Sequence, residues 1–133
     1  MAKLKKFLIE GALLQVRFVE TENVVLGVTC DVYAFVGDTS KDLGIINIAP
    51  GCKTPLQRVK KGTRTVEGYV KGKGTLTKIN GEKVVYTMSG KPFSVDVQIG
   101  EVMQWEAAKG SHLIAYEICF PPYADGRFDN LPE

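Results

Sequence analysis

The sequence predicts an all-β protein whose short strands roll into a sandwich, barrel or jelly roll. Three observations predict it. Apolar residues recur with a period of two, as where Leu14, Val16 and Phe18 alternate with Gln15, Arg17 and Val19. Roughly ten such runs follow one another at intervals of about 8–12 residues. Turn signals separate them, the clearest being Pro50-Gly51 and Asn80-Gly81.

The elements follow in order. Residues 24–28 and 32–36 are short runs rich in β-branched side chains, with Asp31 between them. Residues 37–42 read as a polar loop, and 43–49 as a strand ending at Pro50-Gly51. Runs 56–60 and 63–71 flank Lys61-Gly62, a hairpin signature. Gly72-Lys73-Gly74 marks the next turn. Residues 75–79 and 84–88 flank Asn80-Gly81, the strongest short hairpin signal in the chain. Runs 93–99 and 102–105 are split by Gly100, and Pro121-Pro122 stops the last strand, 113–120. Residues 3–14 admit a helix, against which Gly11 and the alternation beyond it weigh. The polar tail, 123–133, carries aromatic anchors at Tyr123 and Phe128 and is expected to lie across the barrel surface. All of this fits one domain over 1–133, with N-terminal strands in 12–36, a core in 42–122 and the tail.

Composition narrows the function classes. Apolar residues are 44 % and charged residues 24 %, the balance of a folded, soluble protein. A formal charge of +2 is too close to neutral for a nucleic-acid footprint, and the basic cluster at 53–73 is interrupted by Leu56, Val59, Val66 and Val70. Cys30, Cys52 and Cys119 form no Cys-x-x-Cys pair, which argues against a disulfide framework and for a reducing compartment. The apolar stretch Phe7-Leu8-Ile9 is too short for a signal-peptide core, and no run approaches the ~18 residues that span a bilayer. A cytoplasmic location without membrane contact is the expectation.

Two segments resemble the motifs of the cupins, a family of double-stranded β-helix, or jelly-roll, barrels. In the first, Gly51 is followed by Gln57 and Val59 where the family carries two metal-binding histidines. Glu67 and Gly74 then keep the family's Glu-to-Gly spacing. In the second, Gly100, Met103 and Ala107 stand at the Gly, the third His and the closing Asn. The ending Glu117-Ile118-Cys119-Phe120-Pro121-Pro122 is similar to that of many small cupins. The resemblance implies a jelly-roll barrel over about residues 42–122, commonly a homodimer. It names no activity, because this fold hosts enzymes and pure binding domains alike.

The positions that match the family's metal ligands are Gln57, Val59, Glu67 and Met103. Valine cannot ligate, a glutamine oxygen is a weak ligand, and thioether prefers soft metals, so neither a metal nor another cofactor is expected. If Gln57, Glu67 and Met103 point inward, alternation brings Val59, Tyr69 and Trp105 with them. The expected lining is then Gln57, Val59, Glu67, Tyr69, Met103 and Trp105, apolar and aromatic with two polar groups, as small-molecule sites are. The competing outcome is a filled core.

His112, the single histidine, sits at the start of the last strand as a solvated side chain or a general base. Cys52 beside Lys53 is the one thiol expected near solvent, while Cys30 and Cys119 read as core residues. In the tail, Arg127 is placed to pair with Asp125 or to meet an anionic ligand. Three functions compete: binding a small organic molecule without a metal; a metal-independent isomerase, epimerase or lyase using Glu67, Tyr69 or His112; and a structural or regulatory dimer.

Overall fold

The computed structural model describes residues 4–9, 11–60, 62–88, 94–122 and 128–131. Among these residues there are twelve strands: β1 (Leu4–Ile9), β2 (Ala12–Val25), β3 (Val28–Phe35), β4 (Asp38–Ile48), β5 (Leu56–Val59), β6 (Arg64–Gly72), β7 (Gly74–Asn80), β8 (Glu82–Met88), β9 (Ser94–Gln98), β10 (Val102–Ala107), β11 (Leu113–Phe120) and β12 (Phe128–Leu131). They form a seven-stranded sheet ordered β1-β2-β3-β4-β11-β6-β9 and a five-stranded sheet ordered β12-β5-β10-β7-β8. Every pairing is antiparallel. Among the described residues no helix is long and apolar enough to cross a membrane.

The main core lies between the two sheets. Val28, Ile46, Ile48, Val97, Leu113 and Ala115 of the larger sheet meet Val59, Leu76, Met103, Trp105 and Ala107 of the smaller one. Along β11, Leu113 and Ala115 belong to this core, while Tyr116 and Ile118 enter a second cluster with Ile9, Val16, Tyr33, Phe35, Leu43 and Ile45. The larger sheet therefore buries apolar residues on both faces, which explains why β4 and β11 read as near-continuous apolar runs. The N-terminal hairpin supplies the cover for the outer face, through Ile9 and Val16.

A β-bulge in β2 decides which face each of its residues serves. Phe18 pairs with Tyr33, but Glu20 pairs with Val32, leaving Val19 as the extra residue. Before the bulge, Val16 faces the outer cluster. Beyond it, Glu22 lies opposite Cys30, on the inward face. Alternation from Leu14 to Phe18 was legible, but the change of face after it was not.

Several elements differ from the sequence reading. Residues 4–9 are a strand paired with β2, not the start of a helix, and the hairpin turns at Gly11 with φ of 79°. The break expected at Asp31 falls at Gly27, leaving Asp31 in mid-strand, where it accepts a 2.7 Å hydrogen bond from the Thr21 hydroxyl. The runs flanking Lys61-Gly62 form no hairpin with each other: β5 pairs with β10 and β12 in one sheet, β6 with β11 and β9 in the other, and Lys61 itself lies outside the described residues. The favoured two-residue hairpin turns, types I′ and II′, both need positive φ at the first central position, which asparagine adopts readily and lysine does not. The last described segment of the tail adds β12 to the edge of β5; Tyr123, Asp125 and Arg127 lie outside the described residues.

The Asn80-Gly81 hairpin forms as read, with β7 and β8 paired from Gly74↔Met88 to Asn80↔Glu82. Gly81 has φ of 73°, and a Cβ there would meet nothing within 4 Å. Gly81→Ala should therefore cost only the left-handed backbone penalty, about 1 kcal/mol. Chemical denaturation checks this; a loss above about 3 kcal/mol would mean that the turn carries tertiary contacts.

Candidate functional site

At one end the barrel core gives way to a cavity of about 280 Å³. Its wall is drawn from both sheets: Glu22 and Val24 of β2, Cys30 and Val32 of β3, Asp42, Gly44 and Ile46 of β4, and Glu117 and Cys119 of β11 on one side. Gln57 of β5, Asn130 of β12 and Thr54 close the other. Another depression, of about 530 Å³, is lined by β2, β3, the start of β4 and Pro122, and it shares Glu22, Val32 and Asp42 with the first.

Register explains the floor of the cavity. Glu117 stands directly opposite Glu67 across the β11–β6 pair, so both carboxyl groups project to the inward face. Glu67 is fully buried. Its Oε1 accepts a 2.8 Å hydrogen bond from the Trp105 indole N–H. Its Oε2 has no hydrogen-bond partner, and neither has the buried hydroxyl of Thr65, two residues away on the same face. Burial pushes the Glu67 carboxyl well above its ordinary value, the facing Glu117 pushes it further, and the Trp105 bond acts in the opposite direction. Two carboxyl groups so placed do not both ionise readily, and the structure favours a proton on Glu67.

The thiols flank this pair. Cys119 Sγ donates to Glu117 Oε1 at 3.1 Å, and Cys30 Sγ lies over Gly44, where a Cβ would come within 2.8 Å of it. Cys30 is pushed far above the usual thiol range, first by burial and then by Glu117, Glu22, Glu67 and Asp31. It therefore lines the cavity as a neutral thiol, not as a nucleophile. Cys52 packs against the main core, half-buried.

The six residues read from the sequence as a lining separate into two groups. Gln57 is in the wall, where its Nε2 donates to Asn130 Oδ1 at 3.2 Å. Glu67 stands opposite Glu117 on the neighbouring strand and is not itself part of the wall. Val59, Met103 and Trp105 belong to the packed core, and Tyr69 packs against it while its hydroxyl donates to the Gly72 carbonyl at 2.9 Å. Trp105 is fixed by backbone as well: its N–H donates to Thr54 Oγ1 at 3.0 Å, and the Thr54 N–H returns to its carbonyl at 2.9 Å. Glu117 and Asp42 were not singled out from sequence, and Cys30 was read only as a core residue. A lone charge in the apolar run 113–120 was the available signal, since glutamate is rarely buried without a partner.

Two chemistries can be tested on this geometry. The residues at the family's ligand positions do not fit a metal: Val59 has no donor atom, Met103 is packed among apolar side chains, and Glu67 holds the indole. Among the described residues no group of three or more His, Cys, Asp or Glu is placed to hold an ion. Nor do Glu67, Tyr69 and His112 converge. His112 is exposed and precedes Leu113, which pairs with Gly72. It thus lies five residues, roughly 17 Å, along the strand from Glu117.

Neither a protein-family model nor a curated protein matches the sequence. Solved structures do match the fold. A cupin-2 domain from Rhodospirillum rubrum aligns with a TM-score of 0.66 at 16 % identity, covering 99 % of this chain and 76 % of that one. The polyketide cyclase RemF from Streptomyces resistomycificus aligns at 0.64 and 11 % identity, covering 98 % and 82 %. CapF, a capsular polysaccharide assembling protein from Staphylococcus aureus, aligns at 0.65 and 15 % identity over 92 % of this chain, which spans 36 % of CapF's length. At such identities likeness carries architecture and not activity. The chain has the cupin fold, an all-β jelly-roll barrel.

Proposed function

We propose that the protein binds a small polar organic molecule in the mouth of its barrel and does so without a metal ion. The observation that carries this reading is the cavity whose wall joins Gln57, Thr54 and Asn130 of one side to Glu117 of the other. At about 280 Å³ it lies just below the usual range of ligand pockets, roughly 300–1,000 Å³. Hydrogen-bonding groups alternate with Val24, Val32 and Ile46 around it, so one ligand can be both oriented and desolvated.

The test is a thermal-denaturation screen of the purified protein against a broad panel of water-soluble metabolites. Binding to the folded state raises Tm by mass action, by several degrees at a hundredfold excess over Kd. A plug, Val32→Trp, should abolish the shift while leaving the circular dichroism spectrum unchanged. Shifts that survive the plug would place binding elsewhere, and a panel without any shift would remove the proposal.

A further inference from the structure

We propose that two copies of the chain associate about a two-fold axis through the inward face of the N-terminal hairpin, with Arg17 of each copy set against Glu20 of the other. The proposal does not depend on the ligand reading above.

The hairpin divides its side chains between two faces. Phe7, Ile9, Leu14 and Val16 turn to the outer cluster. Alternation therefore puts Leu4, Lys6 and Leu8 of β1, with their partners Arg17, Gln15 and Leu13 of β2, on the opposite face. Arg17 pairs with Ala34, and Ala34 with Asp42 of the cavity wall, so this face continues the barrel interior. None of the six residues belongs to the core between the sheets, so the hairpin overhangs the smaller sheet. Leu4, Leu8 and Leu13 are 50 %, 70 % and 63 % exposed. They lie at the edge of the larger sheet, where β1 pairs with β2 and with no other described strand. An apolar patch on an open edge marks an interaction surface.

Charge names the occupant. On this face β2 runs from Leu13, Gln15 and Arg17, across the bulge at Val19, to Glu20, Glu22 and Val24. Lys6 stands beside Gln15, so one half of the strip is basic and the other acidic. Arg17 and Glu20 are both exposed, and neither has an ion-pair partner among the described residues. A strip of this polarity is complementary to itself when turned end for end. An axis between Arg17 and Glu20 makes the Arg17–Glu20 contact twice and carries Leu13 of each copy toward Val24 of the other. Apolar residues then meet apolar ones, and basic residues meet acidic ones.

The experiment is analytical ultracentrifugation of the purified chain at micromolar concentration, where a dimer is expected. Arg17→Glu and Glu20→Arg each put like charges at both contacts, and each should weaken association at least about tenfold without changing the circular dichroism spectrum. Mixed in equal amounts, the two variants again oppose unlike charges across the axis and should recover the dimer. The doubly substituted chain should recover it as well. Leu8→Asp, at an exposed site, should weaken association through the apolar patch, whereas Val85→Asp, exposed on β8 of the other sheet, should not. A chain that is monomeric at every concentration overturns the proposal. So does a dimer that Arg17→Glu and Leu8→Asp both leave intact, because it uses another face. Failure of the mixed variants to recombine would also overturn it, since the two charges would then not meet across an axis.

Discussion

Trp105→Ala should lose about 3–5 kcal/mol of stability, the usual cost of emptying a buried aromatic site. Trp105 is 1 % exposed and packs where the two sheets meet, paired with Leu76 on β7. Truncation opens a void beneath the cavity and also strips Glu67 Oε1 of its donor. Trp105→Phe separates these effects. It keeps most of the apolar bulk and removes the N–H, so it should cost about 1–3 kcal/mol, the penalty for orphaning a buried acceptor. Trp105 is the chain's single tryptophan, so unfolding of both variants is followed by circular dichroism in urea and not by tryptophan emission. A Trp105→Ala protein within about 1 kcal/mol of the parent would show that this end of the barrel is not packed as described.

Much of the architecture was legible because strands announce themselves locally. Period-two alternation, the spacing of turns and the Asn80-Gly81 signal all act within a few residues of chain. Pairing over longer range was not. Lys61-Gly62 looks like a hairpin locally, yet β6 finds β11, about fifty residues onward, because Glu67, Tyr69 and Thr65 share the interior with Ala115 and Leu113. The bulge at Val19 reverses the faces of β2 without leaving a pattern in composition.

The candidate site was legible in direction but not in depth. Alternation groups Gln57 with Val59, Glu67 with Tyr69 and Met103 with Trp105 on common faces. It cannot say which inward residues meet the packed middle of a barrel and which meet its open end, because that depends on how far each strand is staggered against its neighbours. Gln57 and Met103 are directly paired on adjacent strands, yet Met103 belongs to the core and Gln57 to the cavity wall. Glu117 escaped for a related reason. Its significance comes from the residue opposite it, and the register that puts Glu67 there is a property of the folded sheet.

That register makes Glu67→Gln the most informative single substitution. The Glu67 carboxyl is held above its ordinary value of 4.5 by burial first and by Glu117 second, so the folded protein retains this proton more tightly than the unfolded chain. More protons bound in the folded state means that stability falls as pH rises. The contribution is fully present below the unfolded value, near 4.5, and is lost as pH climbs through the higher folded value. Glutamine keeps the shape, accepts from Trp105 through its carbonyl oxygen, and offers an N–H where Oε2 now finds no donor. At pH 4 the variant and the parent should therefore be nearly equal in stability. At pH 8 the variant should be the more stable of the two, because only the parent carries a buried carboxyl that binds its proton more tightly when folded than when unfolded. Carboxylates remote from Glu67 are common to both proteins and cancel in the difference, whereas Glu117, which faces Glu67, does not. In the parent, Trp105 emission should also titrate with the Glu67 proton, and Glu67→Gln should flatten that curve. A variant less stable than the parent at every pH would mean that Glu67 is held ionised by a partner cation, and the proton-sharing pair would have to be abandoned.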